Sequence, residues 1–205
     1  MGSNLPHRDW PRLLKPPVFA ICLLPFAWMV WDTFTDGLGP NPLEAVTHHT
    51  GDWALRLLLV TLAVTPLRRL TGWTRVLRFR RMLGLFSFFY ALLHFLTWLW
   101  LDQGFAWGAI VADIAQRPYI TVGFAALVML TALAITSTRG WMRRLGRNWQ
   151  RLHRLIYPAA ILGIIHYVWL VKADLLEPGI YGLVLAGLLA MRLVPKGTLS
   201  FAERR

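Results

Sequence analysis

Residues 151–172 read RLHRLIYPAAILGIIHYVWLVK. Arg151, His153 and Arg154 stand at the leading edge and Lys172 at the far end, and nearly everything between is apolar. As a helix, the run from 154 to 171 extends about 27 Å at 1.5 Å per residue, close to the ~30 Å of bilayer hydrocarbon. Comparable runs lie at 16–35, 53–67, 83–101, 118–136 and 178–194. The composition agrees: 56% of the 205 residues are hydrophobic, with 11 Trp and 11 Phe, well above the level of a soluble chain. Lipid offers the backbone no hydrogen bonds, so each run must satisfy its own as a helix. The sequence therefore predicts an all-α integral membrane protein. Its domain is one six-helix bundle over 16–194, flanked by basic tails at 1–15 and 195–205.

A net charge of +12 raises nucleic acid as a partner, and the placement of the charges argues against it. The basic residues gather in alternate connections. Arg8, Arg12 and Lys15 precede the first run, and Arg68, Arg69, Arg75, Arg78, Arg80 and Arg81 follow the second. Arg139, Arg143, Arg144, Arg147, Arg151 and Arg154 follow the fourth, and Arg192, Lys196, Arg204 and Arg205 end the chain. The acids Asp32, Asp36, Glu44, Asp52, Asp102, Asp113, Asp174 and Glu177 occupy the opposite side. By the positive-inside rule both termini and both arginine clusters face the cytoplasm. The first run is followed by DTFTDGLGP, which has no small-x-small cleavage site, so it reads as an anchor. The lone Cys22 excludes an intramolecular disulfide and an iron–sulfur cluster.

Turn signals DGLGPNP (36–42), TPLRRLTGW (65–73), RP (117–118), RGW (139–141) and EPG (177–179) fall between the runs, and Pro25 and Pro158 are predicted to kink theirs. No tandem repeat, low-complexity tract or soluble domain is visible. The Trp-rich segments 28–31, 98–107 and 141–149 read as interfacial belts.

Two histidines lie deep inside these runs. His94 and His166 each stand about 12 residues, or ~18 Å, from the arginine-rich edge of a run that leaves the cytoplasm. An ionisable group at that depth is costly and points to a site, here with each histidine the other's partner across an iron. Ala91 and Ser87 share the face of His94, and Gly163 and Ala159 that of His166, leaving a slot for the edge of a porphyrin. The plainer alternative is close helix packing, with each imidazole bonded to a neighbour. His153 sits about 20 Å below His166 and about 220° round an ideal helix. Arg80 and Arg81 occupy the matching level of the third run, so a second bis-histidine haem there would lack a ligand. Arginines with Trp149 and Phe86 suit instead a phosphate such as that of FMN, or they serve only topology. Of the adjacent pair His48 and His49, at most one faces the bundle.

The ordered motifs NPLEAVTHHTG, TLAVTPLRRL, RRMLGLFSFFYALLH, RPYITVGFAALVMLTALAITS, LGRNWQRLHRLIY and IIHYVWLVK resemble the MsrQ (YedZ) family, haem-binding membrane subunits of the bacterial periplasmic methionine sulfoxide reductase system, in the ferric-reductase-like transmembrane superfamily. The resemblance covers about residues 16–192. It implies b-type haem, one or two, held by His94, His153 and His166, with His48 as a further family histidine and FMN as an associated cofactor. It also implies a bacterial inner-membrane location and a periplasmic molybdenum-cofactor partner that repairs oxidised methionines. Electrons would come from the quinone pool or a cytoplasmic flavin reductase. His94, His166, His153, His48, Arg81 and Gly163 are the expected cofactor-contacting residues. No Gly-rich dinucleotide fingerprint is present, so the chain is expected to conduct electrons rather than oxidise a nicotinamide or reduce a sulfoxide itself. Two rival functions are a haem carrier for ferric iron or oxygen, and a non-redox transporter or assembly factor.

Overall fold

The computed structural model describes residues 13–171 and 174–194. The helices are α1 (Lys15–Phe34), α2 (Pro42–Thr71), α3 (Arg80–Leu96), α4 (Trp107–Gln116), α5 (Pro118–Ile135), α6 (Arg139–Leu145), α7 (Arg147–Leu152), α8 (Ile156–Val171) and α9 (Leu176–Leu193). A π-helical turn over Thr97–Asp102 extends α3, and a 3-10 turn over His153–Leu155 joins α7 to α8. With those extensions, six helices are long and apolar enough to cross a membrane, and the described residues contain no strand. The chain is a multi-pass membrane protein. The expected basic tails lie outside the described residues, except for 13–15, where α1 already begins at Lys15.

The second span is longer than the run 53–67 predicts. α2 has 30 residues, about 45 Å. Its start is capped at Asn41, whose side chain accepts from the Glu44 amide at 3.4 Å and donates to the Glu44 carboxylate at 2.7 Å, with Pro42 in the first turn. It passes through Pro66 and ends at Gly72, whose φ of 70° suits glycine. The predicted turn at 65–73 therefore shrinks to its last residues. Glu44, His48, Asp52 and Arg56 interrupt the hydropathy of α2 without interrupting its helix. The connection after the third span likewise holds the unpredicted α4, which buries Ile110.

Each proline has a local consequence. At Pro25 the Tyr90 hydroxyl enters the backbone ladder of α1, donating to the Cys22 carbonyl (2.8 Å) and accepting from the Phe26 amide (3.0 Å). Pro158 has no N–H for the carbonyl of Arg154, and the chain tightens into the 3-10 turn just before it.

α2 is the centre of the bundle. Leu58, Leu59 and Leu62 pack with Leu130 and Leu133 of α5, Ala159 and Ala160 of α8, and Leu185 of α9. On its other face Leu57 and Val64 meet Cys22 of α1, Val76, and Leu83, Phe86 and Tyr90 of α3. Lipid gives no hydrophobic gain for such contacts, so close packing of small residues and polar stitching hold them. Ala159 and Ala160 are fully buried, and Ser87 donates to the Ala54 carbonyl at 2.8 Å. At the arginine-rich end Arg69 reaches the Met191 carbonyl (2.9 Å), and Arg192 reaches Tyr157 (2.7 Å) and the Leu62 carbonyl (2.5 Å). Trp28, Trp31, Trp100 and Trp107 face outward as expected of belts, whereas Trp98 and Trp149 turn inward.

Candidate functional site

α2, α3, α5 and α8 enclose a cavity of about 500 Å³, within the usual range for a small-molecule or cofactor site. His94 and His166 both line it, with ring centroids 6.1 Å apart and planes inclined at 81°. His94 Nδ1 lies 2.9 Å from the Thr47 carbonyl, and His166 Nδ1 lies 2.7 Å from the Tyr119 carbonyl. A carbonyl only accepts, so each Nδ1 carries the proton and each Nε2 keeps its lone pair. That is the arrangement of metal-binding histidines, whose second nitrogen donates to a fixed acceptor. With metal–imidazole bonds of ~2.0 Å and a ring nitrogen ~1.1 Å from its centroid, two imidazoles across one ion have centroids about 6.2 Å apart.

Among the described residues no group of three or more His, Cys, Asp or Glu is placed to hold a bare metal ion. Two imidazoles suit an ion that arrives with its other donors already attached. The walls are built for a flat body: Ala54, Ala91, Ala126, Gly163, Gly51 and Gly123 all line the cavity. Ser87, expected beneath His94, does not; its hydroxyl is spent on α2, and small residues of α2 and α5 take its place. The floor is Leu58, Leu130 and Ala159, whereas the mouth carries Glu44, His48, Asp52, Asp102, Arg117, Tyr119 and Tyr167. Arg117, outside the spans, holds its proton more firmly than an ordinary guanidinium because it donates to the Tyr119 hydroxyl and sits beside Asp113.

The other expected residues fall elsewhere. His48 lines the mouth, 3.9 Å from Glu44, while His49 turns to α1 with its Nε2 3.0 Å from the Pro25 carbonyl. Gly163 borders the cavity. His153 does not: its Nε2 lies 3.2 Å from Thr136 Oγ1, and its ring stacks on Trp149 at 3.9 Å. Trp149 in turn donates to the Thr136 carbonyl at 2.9 Å. His153 and His166 thus both meet α5, at residues 17 positions and about 25 Å apart. Arg81 is exposed at the start of α3, and Phe86 packs on Phe19 (4.9 Å) rather than joining His153.

One polar cluster beside the cavity is unpredicted. Arg56 Nε donates to the Tyr181 hydroxyl at 2.7 Å and its Nη2 lies 3.4 Å from Asp52, while the Tyr167 hydroxyl donates to Glu177 at 2.7 Å. The signal was present: an Asp and an Arg four apart on an otherwise apolar helix share one face.

The profile of the ferric reductase like transmembrane component family matches residues 50–164. The chain is 56% identical over 195 residues to the protein-methionine-sulfoxide reductase heme-binding subunit MsrQ of Rhodospirillum rubrum, covering 95% of this chain and 93% of that one. It is 54% identical over 188 residues to the protein of the same name from Xanthomonas axonopodis pv. citri, covering 89% and 86% respectively.

Proposed function

Because the chain belongs to the MsrQ family of heme-binding subunits, among the ferric-reductase-like transmembrane components, we propose that it is a haem-carrying electron conduit of the bacterial inner membrane. In this reading it binds one b-type haem between His94 and His166 and supplies electrons to a periplasmic molybdenum-cofactor methionine sulfoxide reductase. The observation that carries the reading is the pair of cavity-lining imidazoles, 6.1 Å apart, each with Nδ1 committed to a backbone carbonyl. His94 and His166 would hold such a haem, which when bound would supply one-electron transfer.

The residues of the chain do the rest. The Nε2 atoms of His94 and His166 would supply the lone pairs that hold the iron, and the alanines and glycines of four helices would admit a flat ring and exclude water. The leucine floor rejects carboxylates, which are costly to bury without partners. A carboxylate-bearing edge would be accommodated at the mouth, where Arg117, Tyr119 and His48 would offer hydrogen bonds, the Tyr167 hydroxyl being committed to Glu177. Reduction of the sulfoxide would take place on the partner. The arginine-rich side is cytoplasmic by the charge rule, and the mouth opens toward the periplasm. Arg80, His153 and Trp149 on the arginine-rich side suit a phosphate and a ring system, and we assign FMN or a quinone headgroup to that end. The donor is the quinol pool or a cytoplasmic flavin reductase.

The test is the dithionite-reduced minus oxidised spectrum of the purified chain, with iron and flavin quantified per polypeptide. A low-spin b-type spectrum that His94→Ala and His166→Ala each disrupt is expected. Purified protein without a Soret band, or with one indifferent to both substitutions, would overturn the assignment.

A further inference from the structure

The two hairpins that build the cavity match each other position by position. In the first, α2 supplies the Thr47 carbonyl and Gly51, and α3 supplies His94; in the second, α5 supplies the Tyr119 carbonyl and Gly123, and α8 supplies His166. Each histidine lies 47 residues after its carbonyl partner. Each glycine lies four residues after that same carbonyl, so one shift of 72 positions carries Thr47, Gly51 and His94 onto Tyr119, Gly123 and His166. The same shift carries Ala91 onto Gly163 and Ser87 onto Ala159, keeping small residues beneath both rings. α2 and α5 run in one direction and α3 and α8 return, which is the relation of parallel repeats about an axis along the membrane normal.

The glycines have a shared and specific setting. A Cβ on Gly51 would stand 3.1 Å from His94 Nδ1 and 3.2 Å from its Cε1. A Cβ on Gly123 would stand 2.7 Å from His166 Nδ1 and 2.9 Å from its Cε1. Residues four apart share a helix face one turn from each other, so the imidazole edge rests where a Cβ would be and reaches the carbonyl one turn away. Other helical glycines are not so placed: a Cβ on Gly84 would meet Thr61 at 3.6 Å, and one on Gly182 would meet Ile164 at 3.7 Å, both ordinary contacts.

We infer that Gly51 with the Thr47 carbonyl, and Gly123 with the Tyr119 carbonyl, are duplicated positioning pairs that each fix the tilt and tautomer of one axial imidazole. The site is then two copies of a single hairpin half-site. The inference rests on the haem reading above and names residues that act through the histidines rather than on the haem. A methyl group at either glycine pushes the ring off its carbonyl. It thereby weakens the hydrogen bond that holds the proton on Nδ1 and changes the angle at which Nε2 meets the metal. Gly123 has the smaller clearance, so its substitution acts more strongly.

The experiment compares Gly51→Ala and Gly123→Ala with the controls Gly84→Ala and Gly182→Ala in the full-length, haem-loaded chain. The readouts are the electron paramagnetic resonance spectrum of the ferric haem, haem retained per chain under competition from apomyoglobin, and monodispersity with helical content. Loss of the partner that orients a metal-bound histidine typically costs 10–100-fold in affinity, so a roughly tenfold or greater rise in haem loss is expected for Gly123→Ala. Shifted g-values are expected for both site variants and wild-type spectra for both controls. Wild-type g-values and haem retention in Gly51→Ala and Gly123→Ala overturn the inference, as do equal shifts in the controls. Gly51→Ala needs a displacement of only a few tenths of an ångström, so it carries the test by itself if Gly123→Ala fails to fold. Wild-type protein without haem defeats the functional reading, whereas haem-loaded wild type with indifferent glycine variants defeats this inference alone.

Discussion

Two ion pairs of the same chemistry and the same four-residue spacing lie in different surroundings, and comparing them tests the membrane placement of α2. Asp52 and Arg56 are 3.4 Å apart, with side chains 24% and 40% exposed. Arg56 lies 12 residues before Arg68, about 18 Å from the arginine-rich end of α2. In a ~30 Å core that is close to the centre. Asp113 and Arg117 are nearer to each other, at 3.0 Å, but outside the spans. Distance alone ranks the second pair as stronger; the medium ranks the first.

At an effective dielectric of ~20 the Asp52–Arg56 attraction is about 5 kcal/mol before desolvation is subtracted. Asp52→Asn keeps the shape and an acceptor oxygen but removes the charge, leaving Arg56 without a counter-ion beside the Tyr181 hydroxyl and the Trp53 ring, whose centroid is 5.4 Å away. An arginine at a helix centre costs ~2.5–3.5 kcal/mol, and the exposed part of Arg56 can extend its charge toward the interface, so the expected loss is about 1–2 kcal/mol. Tyr181→Phe removes one intramembrane hydrogen bond and should cost roughly 0.6 kcal/mol. Asp113 is half-buried and also accepts from Gln103 at 3.2 Å, but its partner Arg117 is exposed outside the spans, so Asp113→Asn should cost less, about 0.5–1 kcal/mol. Steric trapping in bicelles, or denaturing-detergent titration followed by circular dichroism, measures all three. If Asp113→Asn costs as much as Asp52→Asn, separation rather than medium governs these pairs, and the placement of the Asp52–Arg56 pair within the membrane span is refuted.

Other outcomes follow from the same geometry. His94→Ala and His166→Ala should each convert a six-coordinate low-spin spectrum to a high-spin one with reduced haem content, visible in the Soret region. His153→Gln should leave that spectrum intact, because the His153 ring is engaged with Thr136 and Trp149 outside the cavity; loss of the low-spin signal would make it a ligand. Arg117→Gln should speed release of haem but not of haem dimethyl ester, measured by transfer to apomyoglobin, and equal acceleration of both would detach Arg117 from the carboxylate edge. Tyr90→Phe should cost about 1–2 kcal/mol, since its hydroxyl serves both the Cys22 carbonyl and the Phe26 amide, while the haem spectrum stays unchanged.

The six spans were legible because lipid crossing imposes length and apolarity on sequence directly. The pairing of His94 with His166 was legible too, since a fixed rise per residue turns position into depth. What escaped was written in the backbone or on helix faces of unknown orientation. The carbonyls of Thr47 and Tyr119 have no residue identity to read, and Gly51 and Gly123 become informative only when a ring is seen against them. Asp52 and Arg56 were in plain view, but charge counted by connection overlooks a pair inside a span. The repeat escaped for the same reason: it lies in backbone course and a few small or imidazole positions.

The repeat also bears on how many haems the chain holds. Under the 72-position shift the outer site maps onto itself, histidine onto histidine and glycine onto glycine. The inner cluster does not. His153 maps onto Arg81, Thr136 onto Val64 and Trp149 onto Leu77, so the imidazole, its hydroxyl partner and its stacking ring are all unmatched in the first hairpin. A bis-histidine site needs one ligand from each hairpin, and only the outer level has both. A guanidinium at the other position is no ligand for iron, but its fork suits a phosphate or a carbonyl oxygen of a one-sided guest. The expected stoichiometry is thus one haem iron per chain, with any second cofactor at the His153 level released by mild detergent washing that leaves the haem in place. Two irons per chain, with the second lost in His153→Gln, would show that the inner level recruits its other ligand from outside the repeat.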